Sequence, residues 1–306
     1  FTNTGAVPLT VEYEVSPTSS DLCRGDTVTV ILTVNPEPVA ATNLDATVCS
    51  DEAAGIILNT NGASVSADHY DIVSITPAVG LVATTGNAMI GDNQAASAIA
   101  ADAFTNTGAN ALDVEYEISP VSADGCRGDT ITVTLTVNPE PVLADLDAEV
   151  CSELPSGIVL NTNGTSVAAA SYEITDIRAN GLPNFAGTPA TVFPFNTTDV
   201  NELVDDAWTN LTALPVDVEY DIVPISNDGC RGDTFTVLLT VNPEPILSTS
   251  LDGEACSDEP IGLVLDTEPG STVASTYILV SVAPDAMLTA DAGNATPGTG
   301  FAANGL

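Results

Sequence analysis

Residues 125–141 read GCRGDTITVTLTVNPEP, and nearly the same string stands at 21–38 (DLCRGDTVTVILTVNPEP) and at 229–245 (GCRGDTFTVLLTVNPEP). Repetition at this fidelity makes the chain an array, so the question becomes what one unit can fold into. Phe1, Phe104 and Trp208 open equivalent segments about 100 residues apart, the length of a whole domain and too long for a solenoid turn. Within the repeated block Ile131, Val133, Leu135 and Val137 alternate with threonines, and the copies place Val28, Val30, Leu32, Val34 and Phe235, Val237, Leu239, Val241 at the same positions, with Ile31 and Leu238 each replacing one threonine. That period of two is a strand with one buried face. Upstream, Val114, Tyr116 and Ile118 alternate with Asp113, Glu115 and Glu117, with the same pattern at Val11/Tyr13/Val15 and Val218/Tyr220/Ile222. Two strands therefore flank each Cys-Arg-Gly-Asp loop, and the outer face of the earlier strand is a carboxylate ladder that needs screening.

Taken in order, strands are expected at Leu9–Val15 and Thr27–Val34, then a stiff Asn-Pro-Glu-Pro joint at 35–38, since proline fixes φ and cannot donate to a ladder. Val39–Cys49, Gly55–Asn59, Tyr70–Ile75 and Leu81–Thr84 follow as strands, and Gln94–Ala103 as a helical turn. With 112–118 and 131–137 this gives about seven strands in 39–141, a spacing that suits a sandwich. The order recurs in 142–245, with a proline-bearing excursion from Asn180 to Asp206. The predicted organisation is 1–38 as the back of a repeat, 39–141 and 142–245 as whole domains, and 246–306 as the front of another, with a loose tail from Ala290. A chain that opens inside a repeat reads as a piece of a longer polypeptide, so a missing leader carries no weight.

Four basic residues against 42 acidic ones leave a formal charge of −38, which repels nucleic acid and anionic membrane and favours cations. No apolar run reaches the length of a membrane span. With one histidine, His69, unmatched in the other copies, no Ser-His-Asp arrangement is repeated, and the chain is expected not to be an enzyme.

Six cysteines fall two per repeat: Cys23 and Cys49, Cys126 and Cys151, Cys230 and Cys256. Even spacing in an acidic β chain points to disulfides and an extracellular setting. Their pairing stays open. A hairpin at Asn-Pro-Glu-Pro would bring Cys23 to Cys49, pairing within a domain would join Cys49 to Cys126 and Cys151 to Cys230, and a bond across domains would join Cys49 to Cys230.

Arg24-Gly25-Asp26, Arg127-Gly128-Asp129 and Arg231-Gly232-Asp233 spell an adhesion tripeptide on a loop. The stronger expectation is structural: glycine for a positive φ and an ion pair between the flanking residues. Asp51, Glu52, Asp124, Glu153, Asp228 and Asp258 sit close to the cysteines and are the hard-oxygen candidates for calcium, although no DxDxDG loop exists; no cofactor is required. Sequons occur at Asn163, Asn196, Asn210 and Asn294.

The pattern Asn106-Thr107, Val114-Glu115-Tyr116, Gly125-Cys126-Arg127-Gly128, Thr136-Val137-Asn138-Pro139-Glu140-Pro141, with Cys49-Ser50 and Cys151-Ser152, resembles the PKD-like repeats of Bacteroidetes. The resemblance covers essentially the whole chain. It implies an all-β array of tandem immunoglobulin-like sandwiches in large surface or secreted proteins, including gliding-type adhesins exported by the type 9 secretion system. It also makes O-glycosylation at Thr27 and Thr130 an expectation. The expected role is a structural and adhesive stalk or filament whose partners are neighbouring repeats, copies of itself or surface polysaccharide. The alternatives are a carbohydrate-binding array of a secreted polysaccharide-degrading enzyme and a calcium-stiffened spacer.

Overall fold

The computed structural model describes residues 1–304, and every regular element among them is a β-strand; none of them forms a helix long and apolar enough to cross a membrane. Residues 1–38 hold β1 (Leu9–Val15) and β2 (Val28–Val34). Residues 39–141 hold seven strands: β3 (Ala46–Cys49), β4 (His69–Pro77), β5 (Val82–Ala83), β6 (Gly91–Gln94), β7 (Phe104–Thr105), β8 (Leu112–Val121) and β9 (Ile131–Asn138). Residues 142–245 repeat the set as β10 (Ala148–Cys151), β11 (Ala169–Arg178), β12 (Asn184–Ala186), β13 (Phe195–Thr197), β14 (Ala207–Trp208), β15 (Val216–Ser226) and β16 (Phe235–Asn242). Finally, β17 (Tyr277–Leu279) and β18 (Gly298–Phe301) lie in the last segment.

Each full repeat is a five-stranded sheet with a two-stranded sheet: β3-β9-β8-β4-β6 with β5-β7, and β10-β16-β15-β11-β13 with β12-β14. β3 and β10 join their sheets in parallel, Cys49 beside Asn138 and Cys151 beside Asn242, while β8 and β15 pair antiparallel with β9 and β16. The alternation read from the sequence is the burial pattern: Val114, Tyr116, Ile118, Val133, Leu135 and Val137 are buried, as are Val218, Tyr220, Ile222, Val237, Leu239 and Val241. In residues 39–141 they pack with Ile56, Leu58, Tyr70, Ile72, Ile99 and Phe104.

The carboxylate ladder is quenched locally. Thr136 donates to Asp113 at 2.7 Å and Ser74 to Glu117 at 3.0 Å. In the second full repeat Thr240 and Thr236 serve Asp217 and Asp221 at 2.7 and 2.6 Å, and Arg178 binds Glu219, Asp221 and Asp176.

Some expected elements take another form. Gly55–Asn59 buries Ile56 and Leu58 and exposes Ile57, as a strand would, yet it belongs to no ladder. Its backbone donates instead to the 95–102 turns, Gly55 N to Ala100 O at 2.9 Å and Leu58 N to Ala96 O at 2.8 Å. Those turns are three successive three-residue loops closed at Ala98, Ala100 and Asp102, with no continuous helix. The tail expected to hang loose from Ala290 is tied at β18, where Phe301 pairs with Tyr277.

The residues gather into two compact units. The first comprises Phe1–Val142 with Thr162–Ala170 and Ile225–Gly232; the second comprises Leu143–Asn161, Ser171–Pro224 and the residues from Asp233 onward. Two loops of the second full repeat thus belong spatially with the residues before it.

Candidate functional site at the cysteine loops

The loop between β8 and β9 is built around Cys126. Cys126 N donates to Ser122 Oγ at 3.1 Å, and Ser122 N donates back to Cys126 O at 2.9 Å. Gly125, at φ +78°, closes the turn onto Ser122 O, a conformation that costs glycine little. The same cradle holds Cys230 on Ser226 and Cys23 on Ser19, and an isolated bridge follows each time: Thr18 with Arg24, Val121 with Arg127, Ile225 with Arg231. One local sequence therefore presents all three cysteines in one backbone geometry.

The second class of cysteine ends the parallel strand. After Cys49, Ser50 N donates to Asn138 O at 2.9 Å and Ser50 Oγ accepts from Asn106 N at 2.8 Å; after Cys151, Ser152 does the same with Asn242 and Asn210. Asp51, Glu153 and Asp258 sit at φ 64°, 66° and 70°, so these calcium candidates form the tight turn behind each cysteine. Asp51 accepts from the Thr105 hydroxyl, and Glu52 Oε2 accepts from Cys49 N at 3.2 Å. Asp124 and Asp228 remain on their exposed loops. Among the described residues no three His, Cys, Asp or Glu side chains converge as a metal site would require.

The Asn of each repeat, unweighed as a site residue in the sequence, holds the joint. Asn106 is fully buried; its Nδ2 donates to Asn110 O and Val137 O at 3.0 and 2.9 Å, and its carbonyl accepts from Glu140 N at 2.9 Å. Asn3 and Asn210 do likewise, accepting from Glu37 N and Glu244 N. The Asn-Pro-Glu-Pro segment is consequently stitched to its own repeat, and Glu140 is buried. The Asn210 sequon is corrected by the same geometry: both amide hydrogens are spent at zero exposure, so a folded Asn210 offers no nitrogen to a glycan. Asn163, Asn196 and Asn294 are exposed, as are Thr27 and Thr130.

Cys49 and Cys230 form a disulfide, with Cα atoms 5.3 Å apart and a sequence separation of 181. Both lie in the first compact unit. Of the three open pairings this is the one that joins a cysteine of 39–141 to one of 142–245; Cys23 does not meet Cys49, and Cys126, Cys151 and Cys256 are thiols. The cradle of Cys230 belongs to residues 225–232, which group with the first compact unit, as Cys49 does. Cys230 is fully buried, while Cys23, Cys151 and Cys256 are exposed.

The Arg-Gly-Asp reading changes in two respects. Arg127 pairs with the buried Asp71, not with Asp129, and Asp71 also accepts from Asn93 N at 3.0 Å, with His69 Nε2 4.0 Å away. Gly128 is not at positive φ; it is needed because a Cβ there would stand 1.9 Å from the carbonyl oxygen of Pro38 and 3.1 Å from the Pro120 ring. The tripeptide of the first full repeat is thus spent on an ion pair and on seating the preceding joint. At the same junction Val65 N donates to Gly5 O at 2.9 Å, and Val167 N repeats this with Gly108 O.

Two buried carboxylates also escaped notice among the 42. Asp102 accepts from Tyr116 and from Ala88 N; burial raises its pKa and these two bonds oppose the rise. Asp206 has no hydrogen-bond partner on either oxygen. Burial first, then the charge of Asp205, push it up to about 7, with the Tyr220 hydroxyl opposing and Glu202 adding a smaller push. Only their shared repeat position, just before Phe104 and close before Trp208, could have marked them.

The PKD-like domain family model matches residues 1–38, 46–141 and 178–245. No curated protein matches the chain. Among solved structures, human CDH23 EC21-23 is 12% identical, covering 76% of this chain and 80% of that one at a TM-score of 0.28. The fibronectin(III)-like modules of Clostridium thermocellum CbhA are 10% identical, covering 67% and 94% at 0.19. Bacteroides ovatus SGBP-B, solved with a mixed-linkage heptasaccharide, is 14% identical, covering 85% and 60% at 0.15.

Proposed function

Because the chain belongs to the PKD-like domain family, matched over more than half its length, we propose that it is the repeat region of an extracellular structural or adhesive protein. In this reading it acts as a stalk or fibre on a bacterial surface, of the kind that the type 9 system exports. The observation that carries the reading is the Cys49–Cys230 bond, a covalent strap from one full repeat to the next, while the preceding junction is seated by the contact of Gly128 with Pro38. A chain meant to bear load gains from such straps, because they remove residues from the length that force can pay out. An array of carbohydrate-binding modules has less support: the exposed aromatics are Phe1, Tyr13, Phe185 and Phe235, and residues 39–141 contribute none, so no aromatic platform recurs with the repeat.

Single-molecule stretching tests the proposal. With the strap closed, the stretch between the cysteines, a separation of 181 positions, is shielded, and the extended length should be shorter by about 600 Å than after reduction. Equal lengths in the two states would end the load-bearing reading.

A further inference from the structure

Cys126 is a thiol, yet it sits as Cys230 sits. Each is cradled by a serine four residues earlier, Cys126 N on Ser122 Oγ and Cys230 N on Ser226 Oγ, both at 3.1 Å. Each loop also meets the repeat before its own. Cys230 bonds Cys49, and Gly128 lies so close to the Pro38 carbonyl that no side chain fits between them, which seats the Cys126 loop on the joint that closes residues 1–38.

The two joints correspond bond for bond. Val39 N donates to Ser64 Oγ at 2.9 Å and Val142 N to Ser166 Oγ at 3.0 Å, while Asn61 N reaches Val39 O and Asn163 N reaches Val142 O at 2.9 Å each. Asn3 holds the end of β2 through Val34 O at 2.8 Å, as Asn106 holds the end of β9 through Val137 O at 2.9 Å. Beside that end of β9, opposite Asn138, lies Cys49, the residue that Cys230 bonds. The matching place beside β2 is opposite Asn35, and a Cys-Ser strand end there faces Cys126 as Cys49 faces Cys230. Burial of the loop cysteines follows the same order. Cys230 is fully buried where it meets residues 39–141, Cys126 is half-buried where it meets residues 1–38, and Cys23 is exposed.

We propose that this strap recurs in one register at every joint of the array, the Cys-Arg-Gly-Asp cysteine of each repeat bonding the Cys-Ser cysteine of the repeat before it. Cys126 then bonds the Cys-Ser cysteine of the repeat that ends at Pro38, and Cys151 bonds the Cys-Arg-Gly-Asp cysteine of the repeat that begins at Ile246. Cys126 and Cys151 are 25 positions apart, and Cys230 and Cys256 are 26 apart, so each loop closes around the start of the next. Two parallel lines, alternating a short backbone stretch with a disulfide, therefore run through the array, and a broken strap in one line is bypassed by the other. The pairing stands or falls without the load-bearing reading.

Each bond forms by exchange with a disulfide oxidant. One cysteine thiolate attacks oxidised glutathione and releases one glutathione; the partner thiolate then attacks the mixed disulfide and releases the second, the two electrons and two protons leaving with the two glutathione thiols.

The test compares the 306-residue chain with a version in which residues 39–103 are duplicated ahead of Phe1, giving residues 1–38 a front of known sequence. Both are oxidised with glutathione, their remaining thiols are alkylated, and the non-reduced digests are mapped by mass spectrometry. In the extended version the duplicated Cys49 should bond Cys126, which loses its alkylation, while Cys23 and Cys151 stay alkylated and the Cys49–Cys230 bond persists in both. Cys49→Ser in the duplicated copy alone should return alkylation to Cys126. The whole polypeptide from its source, mapped in the same way, decides the matter if the duplicated segment does not seat: Cys126 should be found bonded to a Cys-Ser cysteine upstream of Phe1. Cys126 alkylated in that polypeptide, or the duplicated Cys49 bonded to Cys23, would overturn the proposal.

Discussion

In residues 39–141 the Tyr116 hydroxyl donates to Asp102 Oδ2 at 2.8 Å; in residues 142–245 the matching Tyr220 hydroxyl accepts from Trp208 Nε1 at 2.9 Å, and Asp206 is left without a partner. Phe104 stands where the second full repeat has Trp208, and Asp102 also accepts from Ala88 N at 2.7 Å. An indole brings a donor that must be satisfied when buried, and the Tyr220 oxygen accepts it. Burial, then the charge of Asp205, raises the Asp206 carboxyl to about 7, with the Tyr220 hydroxyl opposing. The two full repeats thus carry different electrostatics at matching positions, and stability against pH becomes a property of the individual repeat.

Four experiments would break or sharpen this contrast. Reduction, or Cys49→Ser, has the largest expected effect, because it removes the covalent bond between the two full repeats. Closing a loop across 181 residues contributes up to about 5 kcal/mol by chain entropy, readable as a shift in the denaturant midpoint with and without reductant.

The pH dependence comes next. Unfolded, Asp206 titrates at the ordinary carboxylate value, about 4; folded, it titrates at about 7, so the folded state holds the proton more tightly. The second full repeat therefore loses stability as pH climbs from about 4 to about 7 and loses no more above, a swing on the order of 4 kcal/mol. Asp206→Asn should remove that loss and stabilise the repeat at pH 8, followed by hydrogen exchange in β15 and β16. Asp102→Asn should instead destabilise the first full repeat, by about 1 to 2 kcal/mol, since it faces Ala88 N or Tyr116 with an amide.

Gly128→Ala follows, at about 2 to 3 kcal/mol, because the new methyl meets the Pro38 carbonyl and forces the backbone apart. Gly125→Ala, where nothing lies within 4 Å and only φ opposes it, should cost about 1 kcal/mol. A reversed order would show that the joint yields freely. The smallest effect is Arg178→Met, which frees Glu219 and Asp221 to repel each other; the second full repeat should melt slightly lower at low salt, and the difference should fade as salt is added.

The strands around each Cys-Arg-Gly-Asp loop were legible because their period of two is stated three times, and the buried faces of β8, β9, β15 and β16 follow from it. Gly55–Asn59 misled because extended backbone with alternating burial has the same sequence signature whether its hydrogen bonds reach a strand or a turn. Asp71 lies 56 positions from Arg127 and looks like any surface acid, and no local rule links the two. The cysteine pairing was undecidable for a related reason: spacing alone does not say which repeat a cysteine loop meets. Gly128 was read through the usual preference of glycine, and the cause is a carbonyl contributed by Pro38, far off in the chain.

The buried side-chain amide of Asn210 turns a consensus triplet into a reporter. A sugar-transferring enzyme would find that nitrogen available only before the Val241 and Leu214 carbonyls claim it. Occupancy at this one position, set against the exposed Asn163, would therefore count the molecules that were modified before they finished folding.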